Sequence, residues 1–148
     1  MKGAVVDASV AVKWAVSEPH SEQALSLLTS GILLLAPAHW LGEAATALWA
    51  RCAIHGALAR EDLDEAIDFL VSAPMEAIPL NGLVAAAVSI SLALRVTVYD
   101  SLYVALAAER ELPFVTADRR LLERMQKNER FRRTGVWVAD IADYRDEP

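Results

Sequence analysis

Apolar residues recur along this chain in two rhythms. Short unbroken runs, Gly3 to Val6, Leu33 to Ala36, Thr97 to Tyr99, Phe114 to Thr116 and Val136 to Val138, have the length and composition of buried strands. Thr97 to Tyr99 also suits a loop leading into the next helix. Longer segments with helical spacing lie between them. Ser21 to Ser30 reads as a helix, and another runs from about Ala38 to Ile54, with Pro37 at its start and Gly56 just past its end. Arg60 to Ser72 opens on an acidic turn. Asn81 suits the cap of a helix reaching Leu94, and Asp100 or Ser101 the cap of one reaching about Glu111, ahead of Pro113. Asp118 opens a last helix. The alternation predicts an α/β fold, a mostly parallel sheet with helices on both faces.

Composition narrows this further. The 148 residues suit one domain, residues 1 to 148, and 55% hydrophobic content is ample for a full core. Only Asp143 to Pro148 reads as a tail. Twenty acidic residues against fourteen basic ones give a formal charge of −6, so the surface as a whole does not attract nucleic acid. Seven of the basic residues (Arg119, Arg120, Arg124, Lys127, Arg130, Arg132 and Arg133) nevertheless fall in one short segment, which predicts one basic face. The single cysteine, Cys52, excludes an internal disulfide and fits a reducing cytoplasm. Asp7 and Lys13 interrupt the apolar opening, so it does not read as a signal peptide, and no apolar run is long enough for a membrane span.

Four acids stand out against this background. Asp7 follows Ala4-Val5-Val6, Asp100 follows Val96-Thr97-Val98-Tyr99, and Asp118 follows Phe114-Val115-Thr116-Ala117. Carboxyl ends of parallel strands are where such sheets bind ligands. Each aspartate also suits a helix N-cap. Glu43 lies in an almost uncharged helical segment, expected to be largely buried, with His39, Trp40, Thr46 and Ala47 on its face and no Lys or Arg among them. If buried, its charge requires a distant basic side chain, a raised pKa or a metal ion; the alternative is a Glu that snorkels to the surface. Two carboxylates about 4 Å apart repel by about 4 kcal/mol at an effective dielectric of 20, so a cluster of them calls for a dication. An all-oxygen set selects Mg²⁺ or Mn²⁺, whereas His20, His39 and His55 show no zinc-ligand spacing and read as ordinary residues.

With Asp7-Ala8-Ser9, Glu43, Tyr99 to Ala107 and Val115-Thr116-Ala117-Asp118 in place, the chain resembles the PIN-domain ribonucleases, most of all their VapC-type toxins. The resemblance covers nearly the whole length. It implies an α/β/α sandwich, and Asp7, Glu43, Asp100 and Asp118 as the catalytic acids that hold Mg²⁺ or Mn²⁺ for hydrolysis of RNA phosphodiesters. Ser9 and Thr116 match supporting hydroxyls, though each also suits a cap or strand residue. A homodimer and a cognate antitoxin are implied as well. Many relatives carry a further acid where this chain has Arg120, which leaves a second metal in doubt.

Mechanistically, the expected reaction is metal-assisted hydrolysis, with no nucleophilic side chain required. Arg119, Arg120, Arg124 and Lys127 begin just beyond Asp118 and could hold the RNA backbone; the alternative is a solvated helix face. Glu61, Asp62, Asp64, Glu65 and Asp68 read as a solvated face at a helix start, and Trp14, Trp40 and Trp49 as filling a core or interface. Two rival functions remain: a structure-specific DNA nuclease and a catalytically silent metal- or RNA-binding module. A phosphoacceptor receiver domain does not fit, because the first strand is not followed by adjacent acids.

Overall fold

The computed structural model describes residues 1 to 142; the expected tail lies outside the described residues. Five strands form one all-parallel sheet: β1 (Gly3–Val6), β2 (Leu33–Pro37), β3 (Glu76–Ile78), β4 (Phe114–Thr116) and β5 (Gly135–Trp137), in the order β3-β2-β1-β4-β5. Every residue of β1 is buried, so the central strand is covered on both faces, as its unbroken apolar run requires. The register sets Val5 beside Leu35 on one side and Phe114 on the other.

Seven helices connect the strands: α1 (Ala8–Ala15), α2 (Ser21–Leu28), α3 (Trp40–Ala53), α4 (Arg60–Ser72), α5 (Val84–Leu94), α6 (Val98–Arg110) and α7 (Arg119–Gln126). Helices α1 to α4 pack on one another, α5 pairs with α6, and α6 lies on β1, β2 and β4. The architecture is the expected three-layer α/β/α sandwich. Helix α6 supplies much of the core, with seven successive residues from Ser101 to Ala107 buried. Helix α7 reaches β5 because residue 135 is glycine: a Cβ there would stand 2.7 Å from Leu122 Cδ1.

Several local expectations are corrected. Thr97 to Tyr99 is not a strand. Thr97 caps α6, its hydroxyl accepting from the Asp100 N–H at 3.1 Å, and Val98 and Tyr99 already belong to the helix. Asp100 therefore sits in a first helical turn rather than at a strand end, and neither it nor Ser101 is the cap; Ser101 is fully buried with its hydroxyl unpartnered. The third strand is instead Glu76–Ile78, which no apolar run announces. Asn81 falls in a single 3₁₀ turn (Leu80–Gly82), and α5 starts beyond it without a side-chain cap. Helix α3 is not largely buried: only Trp40, Ala44 and Leu48 are, while Gly42, Thr46 and Trp49 face outward. Trp14 and Trp40 fill the core as expected, but Trp49 is 53% exposed.

Candidate active site

The strand order reverses between β1 and β4. In parallel sheets this switch point opens a crevice at the carboxyl ends of the two strands. Asp7 follows β1 directly and Asp118 follows β4 by two residues, so both stand at that crevice. Each also caps the helix that leaves it. Asp7 accepts from the Ser9 N–H at 3.3 Å, and Asp118 accepts from the N–H groups of Arg120 and Leu121 at 2.9 and 3.1 Å. Capping and clustering are thus both true of these residues.

Thr116 joins the two. Its buried hydroxyl donates to Asp7 Oδ2 at 2.6 Å and accepts from the Asp118 N–H at 2.9 Å. Ser9 supports the same junction, its hydroxyl accepting from the Ala117 N–H at 3.1 Å. Both expected hydroxyls therefore tie α1 to the end of β4.

Glu43 and Asp100 come from the flanking helices. Tyr103, one helical turn after Asp100 on α6, donates its hydroxyl to Glu43 Oε1 at 2.8 Å. His39 Nε2 stands 2.9 Å from the same oxygen but off the line a hydrogen bond needs, so neither ring nitrogen has a hydrogen-bond partner among the described residues. The imidazole is wedged between the rings of Tyr99 and Tyr103, with centroids 5.4 and 5.1 Å away. His39, read from the sequence as an ordinary residue, thus lies against Glu43 at the candidate site. Asp100 Oδ2 accepts from the Thr97 hydroxyl at 2.8 Å.

These acids act on one another electrostatically. Burial pushes Asp7 up to about 6, against the hydrogen bonds from Thr116 and Ser9, and the Glu43 charge adds to the rise. Asp100 is raised by burial, opposed by Thr97 and reinforced by Asp118 and Glu43. Burial also drives the Tyr103 phenol far up, with Asp7 and Glu43 adding to the effect, so it stays a neutral donor. Among the described residues, no Lys or Arg forms an ion pair with any of the four acids.

The donor set is all oxygen and carries a surplus of negative charge, which suits a hard dication in chemistry. In the present side-chain arrangement, however, no three acidic, His or Cys side chains among the described residues converge on one point. Asp7 is turned onto Thr116, Glu43 onto Tyr103 and Asp100 onto Thr97. Asp100 and Asp118 share a groove of about 400 Å³ with Arg95, Arg120 and Arg124.

The remaining basic residues do not form the single face that their clustering predicts. Arg119 stacks on Trp137, 4.1 Å from the ring centroid. Lys127 ends α7 outside the groove. Arg130 and Arg133 line a separate cleft before the starts of β4 and β5, at the amino ends of these strands and so away from the crevice.

Residues 4–128 match the PIN domain family. The chain belongs to that family. PIN domains are in general nucleases. The fold of this PIN domain is also that of two solved structures of low sequence identity. PAE2754 from Pyrobaculum aerophilum is 20% identical with a TM-score of 0.66, covering 96% of this chain and 93% of its own. The sarcin-ricin loop cleaving toxin VapC20 of Mycobacterium tuberculosis is 17% identical with a TM-score of 0.59, covering 77% of this chain and 87% of its own. Comparison with curated protein sequences gives no significant match.

Tyr103, His39, Thr97 and Arg95 are the residues at this PIN site that sequence reasoning missed. Two had a signal in the spacing: Tyr103 follows Asp100 by three residues and His39 precedes Glu43 by four, each the interval of a shared helical face.

Proposed function

We propose that this PIN domain is a Mg²⁺- or Mn²⁺-dependent endoribonuclease, working in the cytoplasm as the toxin of a toxin-antitoxin pair. The observation that carries the reading is the junction at the strand switch, where Thr116 holds Asp7 and Asp118 together while Glu43 and Asp100 raise the local negative charge. Asp7, Glu43, Asp100 and Asp118 would hold the metal. When bound, a divalent ion supplies an activated water and charge stabilisation at the phosphate.

The chain's own residues have definable tasks. Thr116 and Ser9 fix the backbone between the two strand-end acids, Tyr103 orients Glu43, and Thr97 orients Asp100. To hold a metal, Asp7, Glu43 and Asp100 would have to exchange their present bonds to Thr116, Tyr103 and Thr97. RNA is favoured over DNA by likeness of fold to VapC20, a sarcin-ricin loop cleaving toxin. The same likeness motivates an antitoxin partner and a homodimer. The outward side of α5 is suited to such contacts, with Val84, Val88 and Leu92 all exposed, Leu92 at 78%. Among the described residues no single helix is long and apolar enough to cross a membrane.

The test is incubation of purified protein with total RNA and Mg²⁺ or Mn²⁺, beside an EDTA control and an Asp100→Asn variant. Discrete fragments lost in both controls support the reading. Intact RNA alongside cut branched DNA would favour a DNA nuclease, and no cleavage of either would favour a silent module.

A further inference from the structure

We propose that the groove walled by α7 and the α5–α6 turn is an RNA-backbone subsite, in which Arg95, Arg120 and Arg124 hold the phosphates that flank the scissile one. The proposal deepens the nuclease reading and rests on it.

Charge provides the first argument. Three guanidinium groups share this groove with Asp100 and Asp118, and none of the three lies within ion-pair distance of a carboxylate among the described residues. The three guanidinium groups outnumber the two carboxylates of the groove, a local positive excess on a protein whose net charge is −6. A polyanion neutralises that excess. Guanidinium is also the group whose planar fork matches phosphate oxygens two at a time.

Placement provides the second. Arg120 and Arg124 are four residues apart on α7, hence on one face of it, and that helix starts from the Asp118 cap. The row therefore leads away from the carboxylates along the helix. Arg95 closes the other wall from the C-cap of α5, in left-handed backbone with φ 55°, a position that glycine or asparagine fills more easily. Its long cationic side chain is held at the groove despite the backbone's preference. Three other arginines of the basic segment are directed elsewhere, Arg119 onto Trp137 and Arg130 and Arg133 into the cleft at the amino ends of β4 and β5.

The mixture of charges favours a nucleic-acid backbone over an acidic peptide. Arginines on both walls, leading away from the Asp100 and Asp118 carboxylates, suit the evenly repeated phosphates of a backbone that continues past the candidate centre. An acidic peptide has no such fixed repeat, and nothing in the nuclease reading brings one to this groove.

The experiment measures binding without cleavage: fluorescence anisotropy of a short fluorescein-labelled single-stranded RNA in EDTA, across a salt series. The test variant is Arg95→Gly with Arg124→Gln. Glycine suits the left-handed backbone and glutamine suits a helix, so the fold is kept. The control, Arg130→Gln with Arg133→Gln, removes the same charge from the cleft at the amino ends of the strands. We expect the test variant to bind about tenfold more weakly, with the salt slope reduced by about 1.4, roughly 0.7 per lost phosphate contact, and the control to match the parent. Equal losses in both variants, or none in the test variant, would overturn the subsite. So would a labelled acidic peptide that loses binding in the test variant while the RNA does not. RNA binding that depends on these arginines in a protein that cleaves nothing with Mn²⁺ would support the subsite and count against the nuclease reading alone.

Discussion

The Thr116 hydroxyl at the end of β4 donates to the Asp7 carboxylate at the end of β1 across 2.6 Å, and the same oxygen accepts from the Asp118 N–H. One buried oxygen thus sets the relative position of two strand-end acids. Thr116→Val keeps the shape but leaves that N–H unpaired and Asp7 short of a donor. It should lower stability by about 1–3 kcal/mol and suppress RNA cleavage, whereas Thr116→Ser, which keeps the hydroxyl, should retain most cleavage. Urea unfolding and a cleavage assay on both variants provide the check; equal activity in the two would remove Thr116 from the positioning role.

Asp7 gives a prediction about pH. Its carboxyl sits at about 6 in the folded protein against an ordinary 3.8, chiefly because of burial. A raised acid contributes stability that is fully present below the ordinary value and lost as pH rises through the folded one. In EDTA, Asp7→Asn should match the parent near pH 4 and exceed it above pH 6, by up to about 3 kcal/mol. Asparagine is also a good N-cap, so α1 is not penalised. Thermal melts across that range test the sign, and Mn²⁺ should then raise the melting temperature of the parent but not of the variant.

Glu18 behaves in the opposite way. Burial alone would raise its carboxyl, but bonds from Arg51 and Lys13 outweigh burial and hold it below the usual 4.5. Through them it ties α1 to α3, behind the site. Its stabilisation is present above the ordinary value and lost as pH falls through the depressed one. Glu18→Gln should cost about 1–2 kcal/mol at neutral pH and little in acid; a pH-independent loss in chemical denaturation would contradict this origin.

Tyr103 should act through Glu43. Tyr103→Phe removes the 2.8 Å hydrogen bond while preserving a core residue that is only 1% exposed. Groups that orient a metal ligand typically affect affinity about 10–100-fold when removed. Titration calorimetry with Mn²⁺ should show a loss in that range without a matching fall in melting temperature, and unchanged affinity would leave Tyr103 with packing alone.

The sheet and its crossovers were legible because buried strands and amphipathic helices write different periods into a sequence. The failures have local causes. Val96 to Tyr99 looks like a strand by its β-branched and aromatic residues, yet the Thr97 hydroxyl captures the Asp100 N–H and turns the segment into a helix start. Strand β3 pairs only with β2, and two of its three residues, Glu76 and Ala77, are exposed, so no apolar run marks it. The alanines of α3 fit either core or surface, which is why the helix bearing Glu43 looks more buried in sequence than it is. For the site, strand-end acids were readable by position. Their hydroxyl partners were partly so. The placing of Arg95 at the end of α5 opposite α7, and the division of the basic segment between the two ends of the strands, are products of tertiary packing that no residue spacing records.

The order of the strands also has a meaning in time. Asp7 is synthesised well ahead of β4, which carries Thr116, leads to Asp118 and can slot in beside β1 only after more than a hundred further residues have been added. A growing chain that stops late in α6 already holds Asp7, Glu43 and Asp100, yet half of the crevice has not been made. On the proposed reading, the centre waits for the late insertion of one three-residue strand, and chains left unfinished before it would carry no complete site.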